Sequence, residues 1–132
     1  MGASTNQNCP LCWDNNRLKG GKVVGETEQL YAYAFSDEKG DLKYALINAK
    51  DHHTDMRTLR LMWGEEFAQL YEGVLSLMPE NQPHNGYWNQ GEVAGQRVLG
   101  HWHVRIEPRF PDRPSSGMGP ALLVEKVDEL SV

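Results

Sequence analysis

The chain has 132 residues, 39% hydrophobic and 23% charged, which suits one packed domain and excludes wholesale disorder. A net charge of −5 excludes an extended basic surface for long nucleic acids, though one local cluster of donors would still serve a small phosphate ligand. No window nears the roughly 18 uninterrupted apolar residues that cross a bilayer, and the polar residues 1–8 lack the regions of a secretory signal, so a cytoplasmic setting is expected.

In chain order, Cys9 and Cys12 come first, spaced C-x-x-C. As a disulfide in a reducing compartment so tight a pair would staple almost no chain. Metal binding, redox chemistry and coincidence remain open for it. A polar stretch ends in the turn signal Gly20-Gly21, and residues 22–27 then read as a short strand. Residues 30–35 read as a second strand rich in aromatics, 36–41 as a hairpin loop and 42–47 as a third strand.

From 54 to 78, Leu59, Met62, Trp63, Phe67, Leu70, Tyr71, Val74, Leu77 and Met78 recur at three- and four-residue steps. That period predicts one long amphipathic helix, with Thr54 as N-cap and Pro79 as stop. Gly64 and Gly73 weaken its interior. Residues 86–89 read as a strand, 90–96 as a glycine-bearing turn and 98–108 as the last long strand. Beyond Phe110 the chain is rich in Pro, Gly and Ser, closing on an ambiguous apolar stretch at 122–127. Several strands around one long helix predict an α+β domain with a mainly antiparallel sheet over 1–110, completed by a tail at 111–132.

Alternation along the last strand turns His101, His103, Arg105 and Glu107 one way and Trp102, Val104 and Ile106 the other. The apolar set belongs in the core. The polar set is either a solvated face or a row of two imidazoles, a guanidinium and a carboxylate gathered for chemistry.

The segment Asn89-Gln90-Gly91, then Ala94-Gly95-Gln96, then His101-Trp102-His103-Val104-Arg105 and Pro108-Arg109 resembles the signature of the histidine triad (HIT) family. Ala34-Phe35-Ser36-Asp37 resembles the family segment whose acidic residue holds a nucleotide ribose. Leu46-Ile47-Asn48-Ala49-Lys50-Asp51-His52 resembles the strand end before its main helix. The chain departs from the pattern in four ways: Arg105 replaces the third histidine, Arg97 stands where a small hydroxyl residue is common, Leu99-Gly100 holds one extra residue, and Asn48-Ala49 replaces Ile-Pro. The galactose-1-phosphate uridylyltransferase type in the wider superfamily also lacks the third histidine.

The resemblance implies a HIT-like fold and a hydrolase or nucleotidyl transferase acting at the α-phosphate of a nucleotide or dinucleotide. His103 would be its nucleophile, Arg105 and Gln96 would be phosphate donors, and Asp37, Asn89 and Arg97 would bind nucleotide. A neutral imidazole can attack phosphorus if its other nitrogen donates to a fixed acceptor. An arginine offers planar donors but stays protonated, so it cannot give a leaving group a proton. The resemblance also implies a structural zinc ion on Cys9, Cys12, His52 and His101, with His53 as a neighbouring competitor for the third place, and a homodimer. Alternatives are a catalytically weakened nucleotide-binding protein and a zinc-stabilised interaction domain. His84, Arg109 and Arg113 carry no expected role, and the four tryptophans read as core or interface.

Overall fold

Leu30, Ala32 and Ala34 alternate with Tyr31, Tyr33 and Phe35, so this run makes a strand with two unlike faces. The computed structural model, which describes residues 9–15, 20–52, 64–89, 93 and 101–111, forms that strand and four others. They are β1 (Gly21–Glu26), β2 (Leu30–Ser36), β3 (Leu42–Ala49), β4 (His84–Tyr87) and β5 (His103–Pro108), with one helix, α1 (Glu65–Leu75). The strands pair antiparallel in the order β1-β2-β3-β5-β4. The expected α+β architecture is therefore what the chain adopts.

One sheet face carries the main core. Leu30, Ala32 and Ala34 of β2, Ala45, Ile47 and Ala49 of β3, and Val104 and Ile106 of β5 bury there with Trp102, Leu70 and Val74. Small residues on β2 and β3 let α1 lie close. At Gly25, a Cβ atom would stand 2.9 Å from Leu70 Cδ2, so glycine makes room for the helix at the irregularity between Val23 and Gly25. Leu70 is almost fully buried under this roof. Leu70→Ala is expected to cost about 2–5 kcal/mol through lost burial and a cavity, which urea unfolding would measure.

The helix expected over 54–78 has different bounds. Gly64 has φ −100° and ψ 178°, an extended conformation that no α-helix passes through, and α1 begins after it. Glu65 and Glu66 in the first turn favour that start electrostatically. Thr54, offered as the N-cap, lies outside the described residues. At the other end Leu77 and Met78 donate to Val74 and Leu75 in tightening turns before Pro79, as the stop signal predicts.

His84, expected to be idle, ties the helix to the edge strand. Its Nδ1–H donates to the Gln82 carbonyl at 2.9 Å, which leaves Nε2 to accept the Tyr71 hydroxyl at 2.5 Å. Tyr71→Phe is expected to cost about 1 kcal/mol, read as a small fall in thermal midpoint.

Candidate active site and metal centre

The opposite sheet face carries the chemistry. Tyr44, Leu46 and Asn48 of β3 alternate with the core residues, and the register sets Asn48 opposite His103 and Leu46 opposite Arg105. Residues 9–15 fold over one end of this face. Leu11 and Cys12 are fully buried and Cys9 nearly so, packed on Leu46, Phe35 and Tyr44. Tyr31 anchors the loop by donating its hydroxyl to the Leu11 carbonyl at 2.6 Å. Burial, with the two thiols nearby, pushes the Tyr31 phenol far above its ordinary pKa. It therefore stays a donor at any physiological pH.

Under that loop the four expected metal ligands converge. Cys9, Cys12, His52 and His101 place one ligand atom each within 4.8 Å of all the others. His101 Nδ1 stands 3.3 Å from Cys9 Sγ and 3.5 Å from Cys12 Sγ, and His52 Nδ1 stands 3.4 Å from Cys12 Sγ. With zinc bonds of about 2.3 Å to sulfur and about 2.0–2.1 Å to nitrogen, a tetrahedral ion holds sulfur and nitrogen roughly 3.5 Å apart. The Cys9–His101, Cys12–His101 and Cys12–His52 pairs have that spacing.

Proton placement agrees with the spacing. His101 Nε2 lies 2.8 Å from the Ala49 carbonyl, which can only accept, so the ring proton sits on Nε2. The neutral ring then turns its Nδ1 lone pair toward both sulfurs. This is the arrangement of a metal-ligating histidine whose second nitrogen is tied to an acceptor. The donor set fits a soft or borderline divalent ion such as zinc. His53, the competitor for the third place, lies outside the described residues.

His103, the first residue of β5, is half-buried. Its Nδ1 lies 3.1 Å from the His101 carbonyl, so Nδ1–H donates there and Nε2 keeps its lone pair. Burial lowers the His103 pKa most; the bond to the His101 carbonyl works against that, and the positive charge of Arg105 adds to the lowering. The net direction is down.

Arg105 is fixed on two sides. Its Nε–H donates to Glu107 Oε1 at 3.2 Å, and its guanidinium carbon sits 3.8 Å over the Tyr44 ring centroid. Glu107, almost fully buried, also meets Arg109 Nη1 at 3.5 Å through its other oxygen. A buried carboxylate between two guanidiniums is paired as such a charge must be. Thus Arg105, expected to offer its donors to phosphate, spends part of that capacity on its neighbours.

Beyond Glu107 a cavity of about 600 Å³ opens, lined among others by Asp37, Lys39, Lys43, Arg109 and Phe110. Asp37 lines it and also organises its own hairpin. Its Oδ1 accepts the backbone N–H of Lys39 at 2.9 Å and of Asp41 at 3.0 Å. Asn89 lies past the end of β4, while Gln96, Arg97, Leu99, Gly100 and Arg113 fall outside the described residues. Of the tryptophans, Trp102 is buried in the core, Trp13 packs on Tyr31 and under the Lys50 ammonium, Trp88 is exposed, and Trp63 lies outside the described residues.

Two contributors escaped the sequence reading. Tyr44 shares a face with Asn48 by alternation, a visible signal to which only the pairing of β3 with β5 gives meaning. The Ala49 carbonyl carries no sequence signal at all.

Two buried cysteines and two histidines over a histidine-bearing strand define an α+β protein with a metal-type centre beside a candidate nucleophile. No family model matches the sequence, and no curated protein matches it. Solved structures do. A HIT family protein from Bacillus subtilis is 22% identical at a TM-score of 0.58, over 94% of this chain and 95% of that one. A HIT family hydrolase from Clostridium thermocellum is 18% identical at 0.57, over 86% and 100%. A histidine triad nucleotide-binding protein from Candida albicans is 19% identical at 0.54, over 94% and 95%. The chain has the fold of the histidine triad proteins. Among the described residues no helix is long and apolar enough to cross a membrane.

Proposed function

We propose that this protein is a nucleotide hydrolase or nucleotidyl transferase in which His103 Nε2 attacks the α-phosphorus of a nucleoside phosphate compound. The observation that carries the reading is the His103 Nδ1–H bond to the His101 carbonyl, since it commits one ring nitrogen and leaves the other as a lone-pair donor. In the step proposed, a bond forms between Nε2 and phosphorus while the bond from phosphorus to the leaving group breaks, its electron pair departing with that group. Water or another acceptor then attacks phosphorus, returning the pair to Nε2 and releasing the nucleotidyl product.

Arg105 lies next along the same face and steadies charge on the phosphate oxygens, held in plane by Glu107 and Tyr44. Gln96 and Arg97 complete the phosphate donors in this proposal, Asp37 holds the nucleoside at the cavity past Glu107, and Asn89, past the end of β4 that pairs with Arg105, binds the nucleotide from the His103 end. Zinc, when bound by Cys9, Cys12, His52 and His101, supplies structural stabilisation and not water activation, because protein ligands fill all four positions. The homodimer and the cytoplasmic setting implied by the resemblance belong to the same proposal.

The test is to offer dinucleoside polyphosphates and nucleoside phosphoramidates, quench in base, and look by mass spectrometry for a nucleotidyl group on the peptide holding His103. A panel that yields neither adduct nor nucleoside monophosphate sinks the catalytic reading. Arg105→Lys keeps the charge but loses the planar fork, so kcat/KM is expected to fall tenfold to about a hundredfold, as a charge-assisted hydrogen bond is worth about 1.5–3 kcal/mol.

A second reading has one observation behind it. Arg105 is engaged with Glu107 and Tyr44 as it stands, which suits a site that binds nucleotide and turns it over weakly. Saturable binding of AMP or GMP with no adduct would select it.

A further inference from the structure

When the bond from phosphorus breaks, a basic leaving group must take up a proton as it departs. Arg105 cannot supply one, because a guanidinium stays protonated. The neighbouring strand carries a group that can. Asn85 and Tyr87 of β4 share one face, and Gly86 between them takes the other. A Cβ atom at Gly86 would stand 3.9 Å from Ile106 of the core, so Tyr87 faces the opposite way, with Arg105 and Glu107. The register sets Tyr87 directly across from Arg105, and Asn85 across from Glu107. Directly opposed residues of an antiparallel pair hold their Cβ atoms about 4.5–5.5 Å apart, close enough for long side chains to meet.

Arg105 is thus bordered by two phenols, and they meet it differently. Tyr44 offers the face of its ring, 3.8 Å from the guanidinium carbon, and that ring also stacks on Phe35 at 4.5 Å. Tyr44 is a platform. Tyr87 meets Arg105 through its hydroxyl, which feels the guanidinium both as a charge and as a hydrogen-bond partner. The ring is half-buried and not sealed in, so a ligand lying along β5 can reach its polar end.

We propose that Tyr87 is the general acid of this site, its hydroxyl protonating the leaving group while Arg105 steadies the phenolate left behind. The proposal rests on His103 being the nucleophile and adds which leaving groups the site favours. In the first step Nε2 of His103 bonds to phosphorus, and the electron pair of the breaking bond passes to the leaving nitrogen or oxygen. That atom takes the Tyr87 hydroxyl proton. In the second step water gives a proton to the phenolate as its oxygen attacks phosphorus, and the pair returns to Nε2. Tyr87 ends as it began.

The electrostatics suit an acid. Burial raises the Tyr87 pKa most; the charge of Arg105 works against that, Glu107 adds to the rise, and Arg109 and the hydrogen bond from Arg105 oppose it. The net direction is up from the ordinary phenol value of about 10, so the group keeps its proton at neutral pH. So weak an acid helps chiefly those leaving groups that are about as basic as itself or more so. An alkyl amine or an alkoxide needs the proton, whereas a nitrophenolate departs without it. The site therefore favours nucleoside phosphoramidates and alkyl esters over compounds with acidic leaving groups.

The test compares the full chain with its Tyr87→Phe variant, which loses only the hydroxyl, on two substrates of one nucleoside. One is an alkylamine phosphoramidate, the other a para-nitrophenyl phosphate ester. For the phosphoramidate, kcat/KM is expected to fall about a hundredfold or more, and for the ester to stay within about threefold. The thermal midpoint and AMP binding should match those of the parent chain. Equal losses on both substrates would assign Tyr87 to holding the phosphate or positioning Arg105, and would overturn the proposal. An unchanged phosphoramidate rate would overturn it too. Failure of the parent chain to turn over either substrate removes the His103 nucleophile and the acid together, whereas turnover that ignores Tyr87 removes the acid alone.

Discussion

His103→Ala is expected to lower nucleoside monophosphate release by at least about 10³-fold, because loss of a nucleophile removes the covalent route and leaves only binding and charge stabilisation. The ring is half-buried and makes one backbone hydrogen bond, so the variant should fold, with its thermal midpoint close to that of the wild type. Binding of AMP or GMP should survive within roughly tenfold, since Arg105 and the cavity remain. Release at the same background rate in variant and wild type, with binding intact in both, would favour the weakened binding protein. Loss of binding together with turnover would instead assign His103 to holding the phosphate rather than attacking it.

Cys9→Ser is expected to abolish stoichiometric zinc and to cost at least about 3 kcal/mol of stability, because structural zinc contributes roughly 10 kcal/mol or more to small domains that need it. Serine matches the size of cysteine but is a poor ligand for a borderline metal. The sulfur it removes is buried and 3.3 Å from His101. Zinc analysis by mass spectrometry and urea unfolding would read the two effects. A wild-type preparation that is metal-free and equally stable would dismiss the centre.

Periodicity read well where one face of an element was apolar. The alternation of Trp102, Val104 and Ile106 predicted which side of the last strand meets the core, and those residues are buried there. The helix was legible as a helix but not in its bounds. The pattern of apolar residues runs past Gly64, and only its backbone torsions reveal that α1 starts there.

The metal set shows what resemblance adds to residue chemistry. C-x-x-C alone left three meanings open, and the sequence gives no reason of its own to bring residues 52 and 101 to it. Antiparallel pairing of β3 with β5 does so, because it places the end of one strand beside the start of the other. The Arg105–Glu107–Arg109 cluster was half legible. Arg105 and Glu107 were expected to share a strand, with Arg109 just past its end, yet the burial of Glu107 depends on neighbouring strands that no local pattern names.

Cys9 and His101 are 92 positions apart, and their meeting has a kinetic consequence. During synthesis the cysteine loop waits, without its partner, until the segment leading into β5 has left the ribosome. Closing so long a circuit costs entropy only logarithmically in its length, so thermodynamics tolerates the delay. Two exposed thiols must meanwhile survive, which makes freshly made chains the ones most open to oxidation and to capture of the wrong ion.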